Sequence, residues 1–196
     1  MMCKIDQLEA ALTQREVRIA APMGRAHAAV ALMVTEGADG DLNVLLIERA
    51  TNEDDFWSGQ IGLPGGRMET SDNNSKHTAE REVREELGVD LSCARHLGRL
   101  SDLVPDGLNI IISPFVYAVP EDMNMAPDRE EVADILWFPL EELKNPRRCS
   151  NVMFHSHGRV KKFPSLLIKD EKERHLWGIT YRLLRNLNKI IPKVLM

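Results

Sequence analysis

Residues 65–89 read GGRMETSDNNSKHTAEREVREELGV, and the acidic run closing that stretch, Arg81-Glu82-Val83-Arg84-Glu85-Glu86-Leu87-Gly88-Val89, decides how the rest of the chain is read. On a helix at about 100° per residue, Glu82 and Glu86 lie about 40° apart and Glu85 falls on the same side, so three carboxylates share one stripe. Such a stripe repels itself unless a cation sits on it. Ala79, Val83 and Leu87 form the adjoining apolar stripe, which predicts that the acids stand at the border between packed core and cleft. Asn74 or Ser75 suits the N-cap of this helix and Gly88 the left-handed position just past its end. Upstream, Leu63-Pro64-Gly65-Gly66 makes a tight turn whose bare backbone can approach a phosphate or offer a carbonyl to a metal. Donors that are all oxygen favour Mg²⁺ or Mn²⁺ over zinc. Acids and arginines on a helix are, taken alone, most often a solvated face. The Gly-Gly turn, the Arg-Glu pair, the Glu-Glu pair and Gly88 falling in register argue against that bland reading.

This stretch resembles the Nudix box, whose pattern is Gly, five residues, Glu, seven residues, Arg-Glu, an aliphatic residue, any residue, Glu-Glu, any residue, Gly and an aliphatic residue. From Arg81 onward every fixed position matches. The first half departs: fourteen residues separate Gly66 from Arg81 where the pattern has thirteen, and the first glutamate falls at Asp72, or at Asn73 in the other alignment. In the family that first acid helps hold the arginine of the Arg-Glu pair, a task within reach of Asp72. Leu45-Leu46-Ile47-Glu48-Arg49, then Trp57-Ser58-Gly59-Gln60-Ile61-Gly62-Leu63-Pro64-Gly65-Gly66, and Trp177-Gly178-Ile179-Thr180 near the end, are similar to the coenzyme A diphosphatase-like branch. That branch has basic and histidine positions where this chain has Glu53-Asp54-Asp55-Phe56-Trp57. An acidic segment opposes a 3′-phosphate unless Arg25, Arg67 or the basic residues near Arg147 and Lys161 supply the charge.

The resemblance implies an α/β fold, the Nudix α/β/α sandwich with a mixed sheet, here flanked by N- and C-terminal amphipathic helices. Alternating strands and helices by themselves allow other α/β topologies. It further implies Mg²⁺-dependent hydrolysis of the diphosphate bond of a nucleoside diphosphate linked to another moiety, with coenzyme A or a related coenzyme as first choice. An ADP-ribose or nucleotide-sugar diphosphatase is the alternative within the enzyme class, and a Nudix module that binds a nucleotide without cleaving it is the alternative outside it. Glu82, Glu85, Glu86 and the Gly66 carbonyl would hold Mg²⁺ or Mn²⁺, Arg81 would orient the acids, and Gly65, Gly66, Arg49 and Arg67 would meet the substrate. The base that takes the proton from water is either a box glutamate or one of Asp128, Glu130 and Glu131; those three also read as a solvated acidic turn.

With 196 residues and 43% hydrophobic content, the chain suits one domain, read as an N-terminal helix in 1–22 and the main domain in 23–196 with an extension at 145–196. A net charge of −5 offers no broad basic surface for nucleic acid. No signal-like apolar stretch follows Met1-Met2-Cys3-Lys4, which sets the expectation of a cytoplasmic protein without membrane attachment. Cys3, Cys93 and Cys149 are odd in number and widely spaced, and read as reduced and structural. His155 and His157 lack a third ligand at metal spacing and read as a loop or edge-strand pair.

Ile5, Leu8, Leu12 and Ile19 recur near helical spacing, predicting an amphipathic helix closed by Pro22 and Gly24 that packs on the domain or on a second subunit of a homodimer. Residues 27–34 and 44–47 read as strands joined by the Gly37-Ala38-Asp39-Gly40 turn. Further strands are expected at 94–103, 110–119 and 134–138, part of the second demoted to an edge or bulge by Pro114. A short helix follows at 139–144. Residues 145–170 read as irregular, with short strands, and His175–Ile190 as a final amphipathic helix.

Overall fold

The computed structural model describes residues 2–51, 57–156, 159–169 and 172–191. Its centre is β1 (Ala26–Glu36), a nearly continuous apolar run that is buried on both faces, as strands covered on two sides are. The Gly37–Gly40 turn returns the chain into β2 (Leu42–Arg49), but β1 and β2 pair only where Val34–Glu36 meets Leu42–Val44. Beyond that point the two strands splay. The chain re-enters the gap as β3 (Ile61–Gly62), which pairs with β2, and β4 (Gly65–Arg67), which pairs with β1. The glycine turn is thus held in the middle of the sheet, with a strand on either side.

The α2 helix (Ser75–Leu87) follows, capped by the Asn74 side chain, which accepts from the His77 N–H at 3.0 Å, and closed by Gly88 in left-handed conformation at φ 68°. After it, β5 (Arg95–Arg99) lies antiparallel to β6 (Ile110–Ala118), which runs parallel to β1, and β7 (Val132–Pro139) closes the other side on β2. The sheet is therefore mixed. Alternate residues of β1 face opposite layers: Ala29, Ala31 and Met33 meet Ala79, Val83 and Leu87 of α2, while Leu32 and Val34 belong to the layer of α1 (Lys4–Thr13) and α3 (Gly178–Ile190). Helices on both faces of a mixed sheet make the α/β/α sandwich. Full burial of Val83 and Leu87 contributes roughly 1.5–3 kcal/mol each, enough to orient the acidic stripe of the same helix.

Several expectations change. The N-terminal helix spans Lys4–Thr13 rather than 1–22, and Ile19 is exposed, because its stretch runs as extended chain held by the Ala20 N–H to Asp102 Oδ2 at 2.9 Å. Leu8 and Leu12 are buried in the chain's own core, so the helix covers its own domain. Pro114 lies in a central strand between β1 and β5. Its carbonyl accepts from Leu100, so its missing N–H falls on that same side, where the β5 ladder has already ended at Arg99.

The described residues of 145–170 are more ordered than their composition suggests: β8 (Cys149–Ser156), β9 (Arg159–Lys169) and β10 (Glu173–Trp177) form a separate antiparallel sheet. The last helix consequently starts at Gly178, since His175–Trp177 pairs with β9 instead. The three cysteines are free and exposed, so they are not core residues. His157 and the acidic Glu53–Asp55 lie outside the described residues. Among the described residues no helix is long and apolar enough to cross a membrane.

Candidate active site

Gly65 has φ 146°, and a Cβ there would strike the Ala29 carbonyl oxygen and come within 2.6 Å of Val30 Cα. Only glycine lets the turn lie this close against β1. A Cβ on Gly66 would occupy the space of the Glu82 carboxylate, so the bare backbone and that acid share one small volume. The Gly65 N–H donates to Glu86 Oε2 at 2.9 Å, tying the turn to the last turn of α2. Glu82 and Glu86 of α2 thereby meet the glycines of the turn.

Glu86 is 1% exposed. Burial pushes its carboxyl up to about 8, against the Gly65 N–H, which favours the charged form; the nearby Glu82 adds to the rise and Arg49 opposes it. Arg49 Nη1 stands 3.8 Å from Glu86 Oε1. Burial likewise raises Glu82 above the ordinary carboxylate range, although Arg81 Nη2 sits 2.9 Å from its Oε1. Two carboxylates held this way, with a bare glycine beside them, fit a hard divalent cation, which would restore the charge that burial disfavours.

Arg81 organises the surrounding acids. Its Nε and Nη2 each lie 3.1 Å from one oxygen of the buried Asp72, its Nη1 donates to Glu85 Oε2 at 2.6 Å, and its Nη2 also donates to the Arg67 carbonyl at 3.0 Å. The paired bonds from Arg81 hold Asp72 down at about 2. Asp72, one residue out of register when counted back from Arg81, reaches the arginine all the same. It also accepts from the Glu69 N–H and the Thr78 hydroxyl, so the longer loop is fastened at both ends.

Not every predicted residue converges. Glu82, Glu86, Gly65, Gly66, Arg49 and Arg67 line one cleft of about 680 Å³, whereas Glu85 leans out onto Arg81 with its side chain 54% exposed. Among the described residues, no three acidic, histidine or cysteine side chains are gathered as a ready cation cluster. Of the later acids only Glu131 lines the cleft. The Asp128 carboxylate turns back to accept from the Glu130 N–H at 2.9 Å, as a turn-capping acid does.

The opposite wall comes from residues distant in sequence. Trp177, Gly178, Ile179 and Thr180 line the cleft together with residues of the Trp57–Gly66 stretch, and Leu108 and Asn109 line it as well. Reading the sequence missed Leu108 and Asn109, whose one signal is the turn-forming Pro105-Asp106-Gly107. Arg174 fastens this wall: buried in β10, it lies 3.3 Å from Glu48 Oε2 of β2 and 2.5 Å from Asp134 Oδ2 of β7.

The site is thus an arginine-organised acidic helix set against a glycine turn, in a mixed sheet between helix layers. The Nudix domain model matches residues 25–155, well over half of the chain, and the chain belongs to the Nudix hydrolase family. A protein of Schizosaccharomyces pombe is 32% identical over 133 residues, a region that covers 64% of this chain and 40% of that relative, so the chain spans less than half of its length. The Nudix hydrolase NudL of Yersinia enterocolitica is 27% identical over 143 residues, covering 73% of this chain and 71% of that protein. Among solved structures, a MutT/nudix family protein from Enterococcus faecalis aligns with a TM-score of 0.54 at 16% identity, covering 91% of this chain and 64% of the other. That likeness is one of fold.

Proposed function

We propose that the chain hydrolyses the diphosphate bond of a nucleoside diphosphate joined to a second moiety, with Glu82 and Glu86 as the principal ligands of Mg²⁺ or Mn²⁺ and Glu85 and the Gly66 carbonyl as further donors. The observation that carries this reading is the buried Glu86, bonded to the Gly65 N–H and lining the same cleft as Glu82 and Glu131. When bound, a divalent cation supplies charge that offsets the diphosphate and acidifies water. Arg49 and Arg67 line the cleft and offer guanidinium donors to phosphate oxygens. Arg81, held by Asp72, keeps Glu82 oriented, as a neighbour of the ligands rather than a contact of the substrate. The Glu131 carboxylate stands at the cleft and is our choice for the group that accepts the proton of the attacking water.

Coenzyme A or a related coenzyme is the substrate we favour. Its support is that Trp57–Gly66 and Trp177–Thr180, the two stretches similar to the coenzyme A diphosphatase-like branch, line one cleft together although more than a hundred residues separate them. The test is hydrolysis of coenzyme A, its 3′-dephospho form, ADP-ribose and nucleotide sugars at equal concentration with Mg²⁺, with products identified by mass. Release of 3′-phospho-AMP and phosphopantetheine from coenzyme A is expected. A tenfold preference for the dephospho form would transfer the assignment to a general nucleoside diphosphate diphosphatase. No cleavage of any compound would favour the nucleotide-binding reading.

A further inference from the structure

Arg174 bridges two acids that the central sheet places side by side. Glu48 of β2 and Asp134 of β7 are direct cross-strand partners, so their carboxylates lie on one face of the sheet, and like charges so placed repel. Arg174 reaches them from β10, in the other sheet: its Nε stands 3.3 Å from Glu48 Oε2 and its Nη2 2.5 Å from Asp134 Oδ2. The exposed Lys172 adds a second cation 3.5 Å from the same Glu48 oxygen. Desolvation offsets much of the attraction within a buried ion network, so net stability is a weak reason for one here, and fixed geometry is a stronger one.

That geometry bears on the cleft. Past Glu48 the β2–β7 ladder slips: Glu48 pairs with Asp134 but Arg49 with Val132, which leaves Ala133 as an extra residue. A bulge of this kind bends and twists the strands locally and redirects the side chains beside it. Alternation along β2 sends Leu46 and Glu48 toward the layer that holds Leu176 of β10, and Ile47 and Arg49 toward the layer of α2. Arg49 lines the cleft there, with Nη1 3.8 Å from Glu86 Oε1. Arg174 therefore grips β2 from behind, at the residue before the one that enters the site. Its planar fork spans both carboxylates, which a lysine ammonium in its place would hold less rigidly.

We infer that Arg174 is a positioning residue for substrate binding: by clamping Glu48 to Asp134 beside the bulge, it aims Arg49 at the diphosphate. This rests on the diphosphatase reading above, in which Arg49 meets phosphate oxygens. The hold of Arg174 on Arg49 is also open to measurement without catalysis.

A double-mutant cycle and a resonance decide it. Arg174→Gln and Arg49→Met, singly and together, are assayed with Mg²⁺ on coenzyme A, ADP-ribose and nucleotide sugars, per folded molecule. On any compound the wild type cleaves, each single variant is expected to raise KM at least about tenfold while kcat stays within about threefold of wild type. The double variant should raise KM no more than about threefold beyond Arg49→Met, because without that arginine nothing is left to aim. In proton–nitrogen correlation spectra the Arg49 Nε–H peak, identified by its loss in Arg49→Met, should be dispersed in the wild type and move to the free-arginine position in Arg174→Gln. KM effects that multiply, or an Arg49 peak indifferent to Arg174, overturn the inference and leave the diphosphatase reading intact. Cleavage of no compound by the wild type overturns that reading, while the Arg49 peak still decides the hold of Arg174. If Arg174→Gln does not fold, Arg174→Lys, which keeps the buried charge without the fork, takes its place with the same outcomes deciding.

Discussion

The two walls of the cleft are built in different ways. The Gly65–Leu87 wall is made within one stretch of chain: a glycine turn, a loop pinned by Asp72, and a helix whose apolar and acidic stripes are three or four residues apart. The Trp177 wall is made by strand pairing across dozens of residues and is held to the main sheet by Arg174 through Glu48 and Asp134. Local chemistry governs the first wall and long-range packing the second. Substitutions in the first should therefore change turnover with little effect on the fold, and substitutions in the second should change stability and substrate choice.

The largest effect is expected at Glu86. Glu86→Gln keeps the volume and removes the charge, and should cost about 10²-fold or more in kcat with circular dichroism unchanged. Near-normal turnover would remove Glu86 from the site. On the other wall, Leu176 is fully buried, and Leu176→Ala should cost roughly 2–4 kcal/mol in urea unfolding. If the variant still saturated with substrate, its kcat per folded molecule should stay within a few-fold of wild type. A large loss in kcat would mean that the second wall takes part in the chemical step.

Cation binding sharpens the contrast further. Mg²⁺ at about 100 times its dissociation constant should stabilise the protein by roughly 2.7 kcal/mol, seen as a rise in Tm that Glu86→Gln diminishes and Leu176→Ala preserves. A Tm indifferent to millimolar Mg²⁺ and Mn²⁺ would contradict the metal reading. The smallest effect concerns pH. Asp72 is held at about 2 by Arg81, below its ordinary 3.8, so its contribution to stability is fully present above about pH 4 and is lost as pH falls toward 2. That loss should amount to roughly 1–2 kcal/mol, and Asp72→Asn should remove this part of the acid sensitivity when both proteins are unfolded by urea between pH 5 and 2. Identical pH profiles would show that Arg81 does not depend on Asp72 for its anchorage.

What was legible in the sequence was whatever repeats at short range. The acidic and apolar stripes of α2 share a helical period, so naming Glu82, Glu86, Val83 and Leu87 required no knowledge of the partner strands. The glycine turn was legible for a similar reason, since few other residues tolerate its conformation. Segment 145–177 was not, because only part of its sheet is covered: Leu166, Ile168 and Leu176 are buried, whereas Met153 and Val160 are more than half exposed, and no clean alternation survives. Pro164 hid β9 as well, although it lies outside the stretch that β10 pairs with. The direction of Glu85 also lay beyond sequence reasoning: its position on the helix is periodic, but its partner is chosen by the Arg81 guanidinium, which Asp72 holds. By itself, then, the sequence determined the acidic helix, its turn and the family, all consequences of spacing within a few residues. Only the tertiary structure decided which acids face the cleft and that Trp177 and Trp57 line it together, because those facts depend on strand register and on buried ion pairs between residues far apart in the chain.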